Sequence, residues 1–154
     1  MSADATRSMI QRICAYGVHV ADGAILLVRA SSITEVAGRW FLPGGGVDFG
    51  EHPTAALRRE VTEETGLSAS VGDHLGVVSD IRTRRSGVKV HSVRMIFTLG
   101  EVAGELVHET TGSSDLARYV PIEEARTLPL AHYVVEGARF IGLDLAPAST
   151  HSVK

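Results

Sequence analysis

The sequence predicts an α/β (α+β) fold, in which a mixed sheet packs a central helix and a C-terminal helix on its faces. Three observations lead to this fold. Apolar strand-like segments fill the first third of the chain, one segment in the middle has helix start and stop residues, and two longer apolar segments follow it. A chain of 154 residues has the length of one domain, so we predict a single domain over 1–154. The small polar segments 1–8 and 147–154 are expected to be flexible tails.

The first strands are predicted from their turns. Segments 12–20 and 24–29 are apolar and flank Asp22-Gly23, which favours a hairpin between them. Segment 39–42, which contains Trp40 and Phe41, predicts a short strand with one aromatic ring in the core and the other near a nucleoside pocket. The three glycines 44–46 then predict a loop whose backbone is open to a ligand.

A central helix is predicted from Pro53 to about Gly66. Proline is favoured at the first helical position and glycine just after the last. Leu57 and Val61 are four residues apart, so both side chains face the sheet. His52 precedes the helix and is a poorer N-cap than serine or aspartate.

The second half of the chain predicts two long strands, 71–82 and 88–99, joined by a turn at 84–87. Beyond them we predict a turn over 100–106, a short strand over 117–120, a helix opening at 121–127 and a C-terminal helix over 131–141.

Composition excludes several classes of protein. The net charge of −3 gives no reason to expect a nucleic-acid or membrane partner. The single cysteine, Cys14, excludes an intrachain disulfide, and its apolar surroundings predict a buried, inert thiol. We find no signal peptide and no apolar run near ~18 residues, so a cytoplasmic protein is expected.

The central helix carries three carboxylates, Glu60, Glu63 and Glu64. At roughly 100° per residue they project within about 100° of arc, where like charges repel each other. A cation on this face would relieve the repulsion, and ligands that are all oxygen favour magnesium or manganese over zinc. A metal held there, beside carbonyls of the glycine loop, suggests metal-assisted cleavage of a phosphoanhydride.

The segment from Gly45 to Leu67 reads GGVDFGEHPTAALRREVTEETGL, and it resembles the signature of the Nudix hydrolases. That signature reads Gly, five residues, Glu, seven residues, Arg-Glu, an aliphatic residue, any residue, Glu-Glu, any residue, Gly and an aliphatic residue. Every fixed position is filled, by Gly45, Glu51, Arg59, Glu60, Val61, Glu63, Glu64, Gly66 and Leu67. Nine specified positions over 23 residues make a chance match unlikely. A weaker likeness extends from about Arg12 to about Pro129.

The resemblance implies a Nudix-type α/β/α sandwich and a MutT-like, metal-dependent hydrolase of nucleoside diphosphate derivatives. By it, Glu60, Glu63 and Glu64 are catalytic and bind Mg²⁺ or Mn²⁺ directly or through water, and the Gly44 carbonyl is a further ligand. Glu51 and Arg59 form an ion pair that fixes the loop, although a metal-facing role for Glu51 stays open. The resemblance also implies a structural role for the two signature glycines, Gly45 and Gly66.

The resemblance also implies a general base outside the helix. We choose Glu109, because it precedes a segment similar to the family's passage from a loop into an aromatic-Val-Pro strand and helix. The alternatives are Glu101, Glu105 and Asp115.

Arg84, Arg85 and His91 are candidates for substrate binding, with a solvated hairpin tip as the alternative for the two arginines. The family's markers for ADP-ribose and dinucleoside polyphosphates are missing, because the first Pro and Tyr after the signature are Pro121 and Tyr119. A nucleoside triphosphate is therefore favoured over ADP-ribose or a nucleotide sugar. A module that senses a nucleotide without cleaving it is the second hypothesis, and both a monomer and a homodimer stay open.

Overall fold

The structure, a computed structural model, describes residues 8–108 and 111–147. Glu109 and nearly all of the predicted tails lie outside the described residues. The strands are β1 (Met9–Val18), β2 (Val20–Ala21), β3 (Ala24–Ala30), β4 (Trp40–Phe41), β5 (Gly44–Gly46), β6 (Ser68–Thr83), β7 (Lys89–Ala103) and β8 (Ser114–Pro121). The helices are α1 (Pro53–Thr65), α2 (Ile122–Ala125) and α3 (His132–Arg139).

Two sheets of four strands each form the centre of the described part of the chain. The first has the order β5-β1-β7-β6, with β1 parallel to β7 and antiparallel pairs at both ends. In the second, β3 pairs antiparallel with β2, β4 and β8. The predicted mixed sheet is confirmed.

Helices cover both faces of this sheet layer. On one face α1 packs Leu57 and Val61 against a cluster formed by Ala15, Leu26, Leu67, Ala69, Phe97 and Leu99. On the other face α3 packs Tyr133, Val134 and Ala138 against a cluster that includes Tyr16, Val18, Ile25, Leu27 and Ile96. Successive strand residues point to opposite faces, so β1 and β3 supply both clusters. The α/β/α arrangement expected from the sequence is therefore present.

The glycine segment differs from its predicted form. Gly44–Gly46 is not a loop but strand β5, with Gly44 opposite Tyr16 and Gly46 opposite Cys14. Glycine has low strand propensity, so the sequence carries no local signal for this pairing. The edge of β1 supplies the partners that place these glycines in the sheet.

Other boundaries shift by a few residues. β6 begins at Ser68, close behind α1, and β7 runs to Ala103, into the segment predicted as a turn. α1 keeps its predicted bounds. Its N-cap His52 accepts a hydrogen bond from the Thr54 amide, and its C-cap Gly66 is left-handed with φ 74°.

Two further features concern the class of protein. Cys14 is buried at 1% exposure, as predicted, and burial raises the pKa of its thiol. Within 8–108 and 111–147, no helix combines the length and the apolar character needed to cross a membrane.

Candidate active site

The three glutamates of α1 differ in burial. Glu64 is buried at 6% exposure, whereas the side chains of Glu60 and Glu63 are 20% and 51% exposed. Leu57 and Val61 on the same helix are fully buried, so the helix cannot rotate without disrupting the core. The core therefore fixes the direction in which the glutamates project.

Strand β5 runs along the base of these glutamates. The Gly44 amide donates a hydrogen bond of 3.0 Å to Glu64 Oε1. A Cβ added at Gly45 would lie 2.8 Å from Glu60 Cδ, which is closer than real Cβ contacts. Glycine at position 45 thus makes room for the Glu60 carboxylate.

Arg59 joins the helix to the segment that precedes it. Its Nε and Nη2 donate to the two carboxylate oxygens of Glu51 at 3.0 and 2.9 Å, and Nη2 also donates to the Gly46 carbonyl at 3.2 Å. Its Nη1 lies 3.1 Å from Glu60 Oε1 and 3.5 Å from Glu63 Oε2. Arg59 is therefore the cationic partner of two of the three glutamates.

The surroundings of Glu51 and Glu60 shift the pKa values of these two carboxyls in opposite directions. Hydrogen bonds from Arg59, and then from the Asp48 amide, lower the pKa of Glu51 to about 2. Burial raises the pKa of Glu60, although its hydrogen bond from Arg59 works in the other direction. Glu51 is thus held as an anion by its partners, while Glu60 is a partly desolvated carboxyl.

We expect the Glu51–Arg59 pair to give a pH-dependent part of the stability. Because the pKa of Glu51 falls from 4.5 to about 2 on folding, its contribution is fully present above pH ~4.5 and is lost as the pH falls through about 2. The difference in free energy of unfolding between wild type and Glu51→Gln should shrink as the pH is lowered over that range. Urea unfolding at stepped pH measures it.

Glu136→Gln is the control for that experiment, because Glu136 is exposed on α3 and makes no hydrogen bond or ion pair among the described residues. Its difference from wild type should stay level over the same range of pH. A Glu51→Gln difference that also stays level would contradict the lowered pKa.

The donor set fits a hard divalent cation. Glu60, Glu63 and Glu64 offer carboxylate oxygens only, which suit magnesium or manganese. In the arrangement described for 8–108 and 111–147, no three Asp, Glu, His or Cys side chains converge on one point. Glu64 is turned to the Gly44 amide and Glu63 to Arg59. The contact seen at Gly44 uses its amide, so ligation by its carbonyl stays a prediction.

A cleft of about 890 Å³ opens beside the glutamates. Glu60, Glu64, Gly44 and Gly45 line it at one end. Five arginines also line it, at positions Arg12, Arg39, Arg82, Arg84 and Arg94. A cleft with carboxylates and arginines together suits a metal-bound polyphosphate.

Two of the predicted substrate residues lie elsewhere. Val90, Ser92 and Arg94 of β7 face the cleft, so His91, between them, faces the opposite side of the sheet. Its ring contacts the Gln11 amide at 3.0 Å. Arg85 does not line the cleft, whereas Arg84 does. Of the three candidates for substrate binding, only Arg84 lines the cleft, and the substrate roles of Arg84, Arg85 and His91 stay predictions.

The cleft also contains a polar cluster that the sequence did not reveal. Asp80 accepts a hydrogen bond from Arg94 Nη1, and His132 Nε2 lies 2.6 Å from the same Asp80 oxygen. The Arg94 guanidinium lies over the Tyr133 ring at 4.4 Å. Phe41 lines the cleft and stacks near Tyr133, while its neighbour Trp40 is buried in the core. Asp80, Arg94 and His132 belong to no common motif, so nothing in the sequence marked them as neighbours.

The general base keeps its status as a prediction. Glu109 lies outside the described residues. Glu101 and Glu105 are exposed and do not line the cleft, and Asp115 is paired with Arg29 at 2.8 Å. Among the described candidates, none has a carboxylate in the cleft.

Comparison with known proteins identifies the family. Residues 11–139 match the NUDIX domain, which is more than half of the chain. The crystal structure of a MutT NUDIX hydrolase from Burkholderia pseudomallei superimposes with a TM-score of 0.71 and 27% identity, covering 86% of this chain and 98% of that chain. The chain therefore belongs to the Nudix family.

Two relatives with assigned names match over shorter segments. The putative 8-oxo-dGTP diphosphatase 2 of Mycobacterium tuberculosis is 42% identical over 71 residues, which is 44% of this chain and 50% of that protein. The ADP-ribose pyrophosphatase of Methanocaldococcus jannaschii is 37% identical over 90 residues, which is 58% of this chain and 51% of that protein. The matched segments thus span about half the length of these relatives.

Proposed function

We propose that this protein hydrolyses the pyrophosphate linkage of a nucleoside diphosphate derivative with the help of Mg²⁺ or Mn²⁺. The observation that carries the proposal is the buried Glu64, fixed by the Gly44 amide and opening with Glu60 onto one arginine-lined cleft. A buried carboxylate that faces a cleft suits a metal-binding role better than a solvated helix face. The family supports the same reaction class.

The residues of the site would have separate roles in binding the metal ion and in positioning its ligands. Glu60, Glu63 and Glu64 would hold the ion, and when bound it would neutralise phosphate charge and activate a water. Arg59 orients Glu60 and Glu63, and the bidentate contact with Glu51 holds Arg59 in place. Gly45 leaves the space that the Glu60 carboxylate fills. Phosphoryl transfer requires mostly positioning and charge stabilisation, which these contacts provide.

Arg12 stands at the metal end of the cleft. Its guanidinium lies over Gly46, where an added Cβ would be 3.1 Å from Arg12 Nη2, and it makes no ion pair among the described residues. Its charge acts on Glu60, whose pKa it helps to lower, and an arginine beside a metal site with no carboxylate in direct contact is placed to bind substrate phosphate. Arg84 is kept as a second candidate for the phosphates or terminal group.

We expect Arg12→Ala to lower kcat/KM by about tenfold or more, mainly through KM, because a charge-assisted contact to the substrate is lost. Steady-state kinetics with the preferred substrate measures it. Arg58→Ala is the matched control, since Arg58 is exposed on α1 outside the cleft and the substitution removes the same charge. Equal effects of the two substitutions would exclude a specific role for Arg12.

The favoured substrate class is a nucleoside triphosphate, ordinary or oxidised. The missing markers for ADP-ribose and dinucleoside polyphosphates support this choice. The names of the relatives support both a triphosphate and ADP-ribose, so ADP-ribose or a nucleotide sugar is the alternative.

A panel of nucleoside triphosphates, ADP-ribose, nucleotide sugars and dinucleoside polyphosphates tests the proposal. Product release should require added Mg²⁺ or Mn²⁺ and stop on chelation. Binding of a nucleotide without any product would favour the second hypothesis, a nucleotide-sensing module. Cleavage that persists in a chelator would contradict the metal requirement.

A further inference from the structure

Asp80 shares one row of the sheet with Arg12. Arg12 of β1 is opposite Ser92 of β7, and Ser92 is opposite Asp80 of β6. All three residues line the cleft. Adjacent strands are spaced by about 4.8 Å, so Asp80 lies about 10 Å across the sheet from Arg12. A nucleotide with its phosphate at Arg12 would span this row and bring its base to Asp80.

The surroundings of Asp80 fix its carboxylate and leave one oxygen available. Arg94 and His132 both contact Oδ2, and Oδ1 has no partner among the described residues. The Arg94 guanidinium is itself held over Tyr133, with only 12% of its side chain exposed. Because two basic groups and a ring constrain it, the carboxylate is presented in one orientation.

The neighbouring rings favour a base at this place over a sugar. Phe41 lines the cleft and its ring stacks near that of Tyr133, with ring centroids 5.8 Å apart at 24°. His132 lines the same wall and meets Tyr133 edge-on. Tyr133 is buried beneath them at 4% exposure, so Phe41 and His132 present the open ring surfaces, and flat aromatic surfaces bind the faces of nucleobases. A carboxylate beside these rings would contact the hydrogen-bond donors and acceptors on the edge of that base.

We propose that Asp80 selects substrates whose base carries an amino group. An ionised carboxylate only accepts hydrogen bonds, so it pairs with an exocyclic amine and repels a carbonyl oxygen at the same position. The inference rests on the proposed function, since it assumes a nucleotide in the cleft. It goes further by naming amino bases, such as cytosine and adenine, over their keto counterparts uracil and hypoxanthine.

The test uses matched nucleotides that differ in this one group. Binding of CMP against UMP, and of AMP against IMP, is measured by NMR titration of the wild-type protein, so it does not depend on turnover. We expect the amino member of each pair to bind at least ~10-fold more tightly, which corresponds to ~1.4 kcal/mol. Equal binding of the two members of each pair would overturn the proposal. This measurement uses the wild-type protein alone.

Asp80→Asn then assigns the preference to this residue. Asparagine keeps an oxygen for Arg94 and can present an N–H to a keto base, so both ratios should fall below about threefold. Asp73→Asn is the control, because Asp73 is exposed on the same strand and outside the cleft, and its ratios should match wild type. If the ratio of amino to keto binding is unchanged in Asp80→Asn, or falls equally in Asp73→Asn, the preference does not come from Asp80.

Two further outcomes separate this inference from its foundation. If Asp80→Asn changes the ratio of the affinities for CMP and dCMP but leaves the preference for amino bases intact, Asp80 contacts the sugar. The proposal is then wrong. If the wild-type protein neither binds nor cleaves any nucleotide, both the proposed function and the inference about Asp80 are wrong. Binding and cleavage of all nucleotides without amino preference would defeat this inference alone.

Discussion

Replacing Glu64 with glutamine is expected to lower turnover at least ~100-fold while the protein stays folded. Glu64 is the most buried of the three glutamates, and its Oε1 accepts a hydrogen bond from the Gly44 amide. Glutamine keeps an oxygen that accepts this bond, so the local structure is preserved. The substitution removes the negative charge that would hold a metal, and a 100-fold loss corresponds to ~2.7 kcal/mol of transition-state stabilisation.

The rate and the thermal midpoint together make this prediction specific. Turnover is measured against Mg²⁺ concentration, and the variant should still unfold in one cooperative thermal transition, because glutamine keeps an acceptor for the Gly44 amide. Glu123→Gln is the control, since the side chain of Glu123 on α2 is 84% exposed and, within 8–108 and 111–147, forms an ion pair with Arg126 alone. A near-normal rate in Glu64→Gln would remove Glu64 from the metal site.

The fold was predictable where the signals are local. Proline at position 53 and glycine at position 66 predicted the ends of α1. In the structure the helix begins at Pro53 and its C-cap is Gly66. The parallel pairing of β1 with β7 joins residues about 80 positions apart, and no local pattern encodes it. Strand β5 was missed for the same reason, because the pairing with β1, rather than the glycines themselves, makes it a strand.

The site residues were likewise predictable only where they lie close together in the sequence. The signature residues of α1 were found because their spacing along one helix is visible in the sequence. Asp80, Arg94 and His132 come from three separate elements, so only the folded chain brings them together. His91 shows why the face of a strand residue is hard to predict, since a shift of one residue along a strand moves a side chain to the other face of the sheet.

Gly44→Ala is expected to destabilise the protein by roughly 3 kcal/mol or more, which is a large share of the ~5–15 kcal/mol typical of a domain. Gly44 has φ 144°, a conformation that residues with a side chain rarely adopt. An added Cβ would overlap the Ala15 carbonyl oxygen and lie 2.7 Å from Tyr16 Cα. Both contacts are with the backbone of β1, which cannot move without disturbing the parallel pairing to β7.

Gly50→Ala separates the two causes. Gly50 also has a positive φ, 78°, but a Cβ there would meet nothing within 4 Å, so we expect a loss of only ~1 kcal/mol. The midpoints of urea unfolding of the two variants measure the difference. Since the Gly44 amide also holds Glu64, Gly44→Ala should lose activity at temperatures where it is still folded, whereas Gly50→Ala should not. Equal losses of stability in the two variants would show that backbone strain, and not the close contact with β1, makes glycine necessary at position 44.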